Sequence, residues 1–357
     1  MRGLLRASQA GGIVTSCPIP IDQTDRILLG HGAGGKLTAQ LIEQLIVPAF
    51  ANPMLSRLDD QAIVPVGAEQ LAFTTDSYVV SPIFFPGGDI GELAVNGTIN
   101  DLAVGGATPI ALSLAFILEE GLPIADLRRV IESARRAAAR AGVPIVTGDT
   151  KVVERGHGDQ LFINTSGIGV VPAGVRLGSA HVRPGDAIVL SGPIGDHGVA
   201  IMAHRAGLEL DGALASDTAA LHTLCAAIVR SGADVHAMRD PTRGGVAATL
   251  VEIATRQQVG IEADEAAILV REPVRGACEL LGLDPLLVAN EGKLIAFVAA
   301  PDADRLLDAM HEHPLGRHAH RIGVVTDRHP SVVELATPIR GRRILDLPFA
   351  EPLPRIC

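Results

Sequence analysis

Apolar runs of strand length that break into a glycine-rich turn and resume as a helix recur in both halves of this chain, and that rhythm restricts its fold more than any other feature. Ile27-Leu28-Leu29-Gly30-His31-Gly32-Ala33-Gly34-Gly35-Lys36 precedes the apolar-periodic stretch Leu37–Phe50. Ala187–Ser191 runs through Gly192-Pro193-Ile194-Gly195-Asp196-His197-Gly198 into a helix from Val199. Asp240-Pro241-Thr242-Arg243-Gly244-Gly245 in turn leads Val246–Gln257. A shared strand, turn and helix rhythm predicts two related α+β domains, and 357 residues suffice for two cores. Aromatic residues are only 3%, with no Trp and one Tyr (Tyr78), so those cores must be built from Val, Ile, Leu and Ala.

The clearest element is a helix over Leu127–Ala141. Leu127, Val130, Ile131, Ala134, Ala138 and Ala141 make one stripe, with Asp126 as N-cap and Gly142 as stop. Strands are expected at Ala62–Val66, Gln70–Thr75, Val143–Thr147, Gln160–Val171 and Leu294–Ala300, and a helix over Asp89–Gly105. His181–Asp186 reads as an inter-domain link. The expected organisation is a lead-in (1–25), an N-terminal domain (26–178), a C-terminal domain (179–330) and a tail (331–357), with no core pattern after about Ser331.

A net charge of −10 without a long basic run argues against non-specific binding of nucleic acid or an anionic membrane. Cys17, Cys225, Cys278 and Cys357 show no CxxC spacing, which suits neither a disulfide framework nor a zinc knuckle and points to a reducing cytoplasm. Val14-Thr15-Ser16-Cys17 looks like a lipoprotein cleavage box, but the segment before it carries Arg6, Gln9 and two glycines and offers no apolar h-region. No window of about 20 uninterrupted apolar residues predicts a membrane span.

The carboxylates carry the chemistry. Asp60, Asp76, Asp101 and Asp149 each stand where an apolar element meets a loop. Singly, such residues are turn formers or N-caps. Four at corresponding strand ends converge in space, and clustered carboxylates repel unless a cation neutralises them. Hard oxygen ligands suit Mg²⁺, which bridges substrate phosphates. Gly34, Gly35 and Lys36 open a helix where backbone N–H groups and an ammonium approach phosphates; an ordinary Gly-rich turn is the competing reading. Lys151, two residues beyond Asp149, would reach the same phosphates or the reacting group. His31, His157 and His197 show no metal spacing and read as surface or hydrogen-bonded structural residues.

The chain closes on Leu353-Pro354-Arg355-Ile356-Cys357, a thiol at the last position. Pro348, Pro352 and Pro354 forbid helix or central strand in the approach. From Gly341 to Cys357 such an arm reaches roughly 50 Å when extended.

Asp59-Asp60, Thr74-Thr75-Asp76-Ser77, Gly97-Thr98-Ile99-Asn100-Asp101-Leu102-Ala103, Gly148-Asp149-Thr150-Lys151-Val152, Asp240-Pro241-Thr242-Arg243-Gly244-Gly245, Asn290-Glu291-Gly292 and terminal Pro354-Arg355-Ile356-Cys357 together resemble the NiFe-hydrogenase maturation factors of the HypE family. That family lies in the ATP-binding superfamily of aminoimidazole ribonucleotide synthetase, selenophosphate synthetase and thiamine-monophosphate kinase. The acidic motifs mark the superfamily, and the terminal Pro-Arg-Ile-Cys marks the HypE branch. The resemblance covers residues 26–357.

It implies an α+β, two-domain aminoimidazole ribonucleotide synthetase-like fold: an N-terminal sheet forming a homodimer interface, a C-terminal α/β sandwich, and a flexible tail. It implies ATP-dependent dehydration of an S-carboxamide on Cys357 to an S-cyanate. The carbamoyltransferase HypF would load the thiol, and a HypC–HypD scaffold would receive the cyanide on iron. Asp60, Asp76, Asp101 and Asp240 would hold Mg²⁺. Gly34, Gly35, Lys36, Asn100, Gly148, Asp149 and Thr150 would surround ATP. Lys151 and Glu291 would position and deprotonate the carboxamide, and Arg243 would steady phosphate. For Glu291 the competing role is a structural ion pair with Lys293 or another cation, and for Arg243 an ordinary place on a helix surface. The rival functions are a small-molecule kinase or ligase of the same superfamily, and a cysteine carrier without catalysis.

Overall fold

Strand Leu161–Val170 alternates buried and more exposed side chains at every residue, the period of a sheet with one covered face. It is the centre of the first sheet, described in a computed structural model that covers residues 26–32, 34–50, 52–208, 214–347 and 355–357. The lead-in 1–25 and Pro348, Pro352 and Pro354 lie outside the described residues. In this sheet Ala62–Val66, Glu69–Tyr78, Leu161–Val170 and Thr108–Glu119 run antiparallel in that order. Ile145–Thr147 and Thr150–Val153 then pair parallel with Thr108–Glu119.

The covered face packs on helix Ile90–Val104, in which every residue except Glu92 and Asp101 is buried. Asp89 caps that helix, accepting from Gly91 N (2.8 Å) and Glu92 N (3.2 Å). Gly91 lets the next helix, Ile124–Ala141, come close: a Cβ there would stand 2.4 Å from Val130 O. The buried stripe of Ile124–Ala141 is Val130, Ser133, Ala134, Ala137 and Ala138, so it is rotated from the expected one, and Ile131 is left 46% exposed. Pro123, not Asp126, takes the N-cap position, and Gly142 ends the helix at φ 69° as expected.

The second sheet orders Val235–Arg239, Ile295–Ala299, Asp186–Leu190, His320–Thr326, Gly260–Asp264, Val333–Ala336 and Arg342–Leu345. Helix Gly245–Gln257 contributes to the core on one side of it, and His222–Arg230 and Ala303–His311 to the other. Its last two strands correct the expectation that residues after Ser331 lack core contacts. Val333, Leu335 and Leu345 are buried because Val333–Ala336 adds in parallel to Gly260–Asp264, a pairing no local pattern announces. The arm to Cys357 therefore leaves the sheet after Leu345, not at Gly341. Among the described residues no helix is long and apolar enough to cross a membrane.

Candidate functional site

A cleft of about 590 Å³ opens where the first sheet, helix Ile90–Val104, the loop before helix Gly245–Gln257 and the second half of that helix meet. Asp60, Asp76, Asp101, Asp240, Glu291 and Cys357 all line it, gathered from positions far apart in sequence. Asp60 precedes the first strand, and Asp76 lies near the end of the second. Asp101 sits on the helix behind them, and Asp240 follows strand Val235–Arg239. Thr74 joins two of these elements, its Oγ1 lying 2.9 Å from Asp60 O and 2.8 Å from the Asp101 carboxylate.

Crowding these acids away from water has the expected electrostatic result. Burial, with Asp59 and Glu252 adding, pushes Asp60 up to about 6 against the opposing pull of Arg239. Burial and Asp60 push Asp240 up to about 8. Asp101 is raised well above the carboxylate range by burial and then by Asp240, Asp76 and Asp60. Glu291, 3% exposed, is raised in the same way by burial, Asp240, Asp76 and Asp217, with Arg243 opposing. Arg239 Nε lies 2.7 Å from Asp60 Oδ2, but the N–H is not aimed at the oxygen and neither atom makes a hydrogen bond. Glu291 Oε1 is likewise buried without a partner.

Among the described residues no three His, Cys, Asp or Glu side chains form a ready-made metal cage. The donor set is nonetheless hard oxygen, mutually repelling and incompletely satisfied. That fits Mg²⁺, which keeps waters and takes ligands from phosphates as well as from one or two carboxylates.

The other expected residues divide. Gly34 and Gly35 line the cleft, and Gly34 (φ 84°) must be glycine because a Cβ would stand 2.8 Å from Arg243 Cβ. Arg243 bridges this loop to the acids, donating to Gly32 O (3.3 Å) and approaching Asp76 Oδ1 (3.9 Å). Lys36 turns away to Asp346 (2.5 Å). Asn100 is an inter-domain staple: its amide donates to Ala219 O (3.0 Å) and Glu291 O (3.3 Å), and its oxygen accepts from Leu221 N (2.7 Å).

Gly148, Asp149, Thr150 and Lys151 lie elsewhere. Asp76 pairs across Thr165 and Leu114 to the Gly148 strand, three strand spacings or about 14 Å along the sheet. Lys151 registers with exposed Ile117, on the face opposite the one that carries Thr165 toward the helix. There its ammonium pairs with Asp149 (2.7 and 2.6 Å), and that hydrogen bond, with one from Thr150 N, holds the Asp149 carboxyl below its usual range.

The end of the tail is docked. Val79 N donates to Cys357 O (3.1 Å) and Ser81 N to Arg355 O (3.3 Å), so the last three residues bind alongside the chain that follows Asp76. Arg355 donates to Val79 O (3.0 Å), pairs with Asp159, and has its own carbonyl held by Arg205. His197 Nε2 stands 3.1 Å from Ile356 O and its Nδ1 2.7 Å from Ser216 Oγ. Its structural role was expected, but the tail as its object was not. Ile356 is 2% exposed, in one cluster with Tyr78, Val199 and Val288, and Cys357 packs against that cluster.

Sequence reasoning missed Arg239, Tyr78, Asp159, Arg205 and Asp217. Asp217 accepts from Glu291 N (3.1 Å) and pairs with Lys293 (2.7 Å). Lys293 thus serves Asp217, while Glu291 faces the cleft. The one available signal was adjacency: Arg239 directly precedes Asp240, and Tyr78 follows Asp76-Ser77.

The chain is similar to known proteins in sequence and fold. Residues 58–171 match the family model of the AIR synthase related protein N-terminal domain, and 183–335 that of its C-terminal domain. Carbamoyl dehydratase HypE of Cupriavidus necator is 56% identical over 337 residues, 94% of this chain and 96% of that protein. A solved HypE–HypF complex contains a chain with TM-score 0.82 and 44% identity, covering 86% of this chain and 99% of that one. A HypE structure in complex with ATP aligns with TM-score 0.78 and 47% identity, covering 93% of this chain and 100% of that one.

Proposed function

The chain belongs to the HypE family of AIR synthase related proteins, and on that premise we propose that it is an ATP-dependent carbamoyl dehydratase of NiFe-hydrogenase maturation whose substrate is borne on its own Cys357. The observation that carries this reading is the shared cleft: the terminal cysteine and the buried acids line one space. A small-molecule kinase has no use for a tail held there by its own backbone, and a mere carrier has no use for the acids.

The reaction needs an amide oxygen, a very poor leaving group, to depart. Attack by the carboxamide oxygen on the γ-phosphoryl of ATP forms the O–P bond and releases ADP. Loss of both N–H protons and departure of that oxygen as phosphate leaves the S-cyanate. Glu291, with no cation paired to its Oε1, is placed to take an N–H proton. Arg243, between the glycine loop and Asp76, steadies phosphate. Asp60, Asp76, Asp101 and Asp240 would hold Mg²⁺, which when bound neutralises charge on the phosphoryl oxygens. Mass measurement of S-carbamoylated protein given Mg·ATP should show the loss of one water from the tail. An unchanged mass would leave only a carrier.

The products and partners follow from the same reading. The S-cyanate supplies cyanide to iron on a HypC–HypD scaffold, and a HypF-type carbamoyltransferase loads the thiol. A homodimer is supported by the outer face of the first sheet, which exposes Phe73, Ile117 and Ile168 together with Lys151. A second copy on this face covers those side chains and gives Asp149 and Lys151 a route to a nucleotide that they lack within one chain. Ile117→Glu should shift the sedimentation coefficient from dimer to monomer; a monomeric parent chain refutes the assignment.

A further inference from the structure

Tyr78 is the only tyrosine in a chain without tryptophan. Its side chain is 1% exposed, yet its hydroxyl makes no hydrogen bond of good geometry. Buried phenols ordinarily find a partner. Thr98, the neighbour nearest to serving, has its own hydroxyl 3.0 Å from Ala94 O and in close contact with Thr165 Oγ1. Tyr78 lines the cleft together with Gly97, Asp76, Asp101, Glu291 and Cys357, and its hydroxyl is buried behind that wall. Its place is prepared, since a Cβ at Gly97 would stand 2.2 Å from it, so a helix-interior glycine is kept where alanine would favour the helix.

The backbone next to Tyr78 also holds the tail. Val79 donates to Cys357 O and accepts from Arg355, and Tyr78 shares an apolar cluster with Ile356 against which Cys357 packs. The acids that line the same cleft as Cys357 offer acceptors suited to an amide NH₂. A phenol hydroxyl is a neutral donor, the complement an amide oxygen requires.

Resting on the dehydratase reading, we infer that the Tyr78 hydroxyl donates a hydrogen bond to the oxygen of the carboxamide on Cys357. It thereby positions that oxygen toward the phosphoryl donor while the NH₂ faces Glu291.

The test is Tyr78→Phe, carbamoylated on Cys357 and followed by mass in a single turnover with Mg·ATP. Conversion should slow roughly ten- to a hundredfold, the worth of one hydrogen bond in a dry site. The unfolding midpoint should not fall, because the hydroxyl removed had no partner. In the parent chain, Tyr78 is the only indole or phenol fluorophore, so its emission should change on carbamoylation and stay constant when Cys357→Ala is treated alike. An undiminished rate in Tyr78→Phe overturns the inference. So does constant emission in the parent, a readout that survives if the variant fails to fold. If the parent itself loses no water, the dehydratase reading falls and takes this inference with it; if parent and variant lose it equally fast, only the role of Tyr78 falls.

Discussion

Cys357→Ala abolishes product formation while leaving ATP affinity within about twofold of the parent chain, because the tail is held by groups the substitution leaves in place. Main-chain groups and Arg355 anchor the last three residues: Val79 N to Cys357 O, Ser81 N to Arg355 O, His197 to Ile356 O, Arg205 to Arg355 O, and Arg355 to Val79 O and Asp159. Ile356 keeps its buried seat. The variant removes the sulfur that carries the group and leaves these anchors in place. Deleting residue 357 outright is a harsher change, since it removes the carboxylate oxygen that accepts from Val79 N. Calorimetry with Mg·ATP and mass measurement after carbamoyl loading decide the matter. A small-molecule kinase would keep full turnover in Cys357→Ala, and that result would sink the self-modifying mechanism.

How much of this was legible beforehand depends on how local each signal is. Asp60, Asp76 and Asp101 could be read as one site because acids at element boundaries tend to converge, but Asp149, read into the same cluster, stands about 14 Å along the sheet, and Asp240 entered only through the family resemblance. The tail taken alone reads as a frayed end that happens to carry a Cys, and only the resemblance carried by Pro354-Arg355-Ile356-Cys357 and the upstream acidic motifs gave it a role. Lys151 and Asp149 could not be placed, because sheet facing depends on register: only the pairing of Lys151 with Ile117 puts that ammonium opposite the cleft. Strands Val333–Ala336 and Arg342–Leu345, four residues each, carry too short a pattern to see without the partner strand Gly260–Asp264. Gly97 would be called a weak point of its helix on propensity alone, and its purpose exists only once Tyr78 is across from it. Arg239 and Asp217, the ions that balance Asp60 and Lys293, sit far from their partners in sequence and are defined by the fold.

Glu291→Gln separates proton abstraction from every other contribution of that side chain. Glutamine keeps the size, the buried position and one acceptor oxygen, and its backbone N–H can still reach Asp217 (3.1 Å in the parent). What it cannot do is accept a proton. Removing a general base costs roughly 10²- to 10⁴-fold in the chemical step, so conversion of carbamoylated protein should slow by that factor while tail loading and nucleotide binding persist. The stability change has the opposite sign. Burial and the neighbouring Asp240, Asp76 and Asp217 all disfavour the charged form, with Arg243 opposing them. Replacing the acid by a neutral amide relieves that repulsion, so the unfolding midpoint should hold or rise. A variant that is stable, binds ATP and turns over within tenfold of the parent would assign the N–H proton to another group, with Asp76 next in line on the wall of the same cleft.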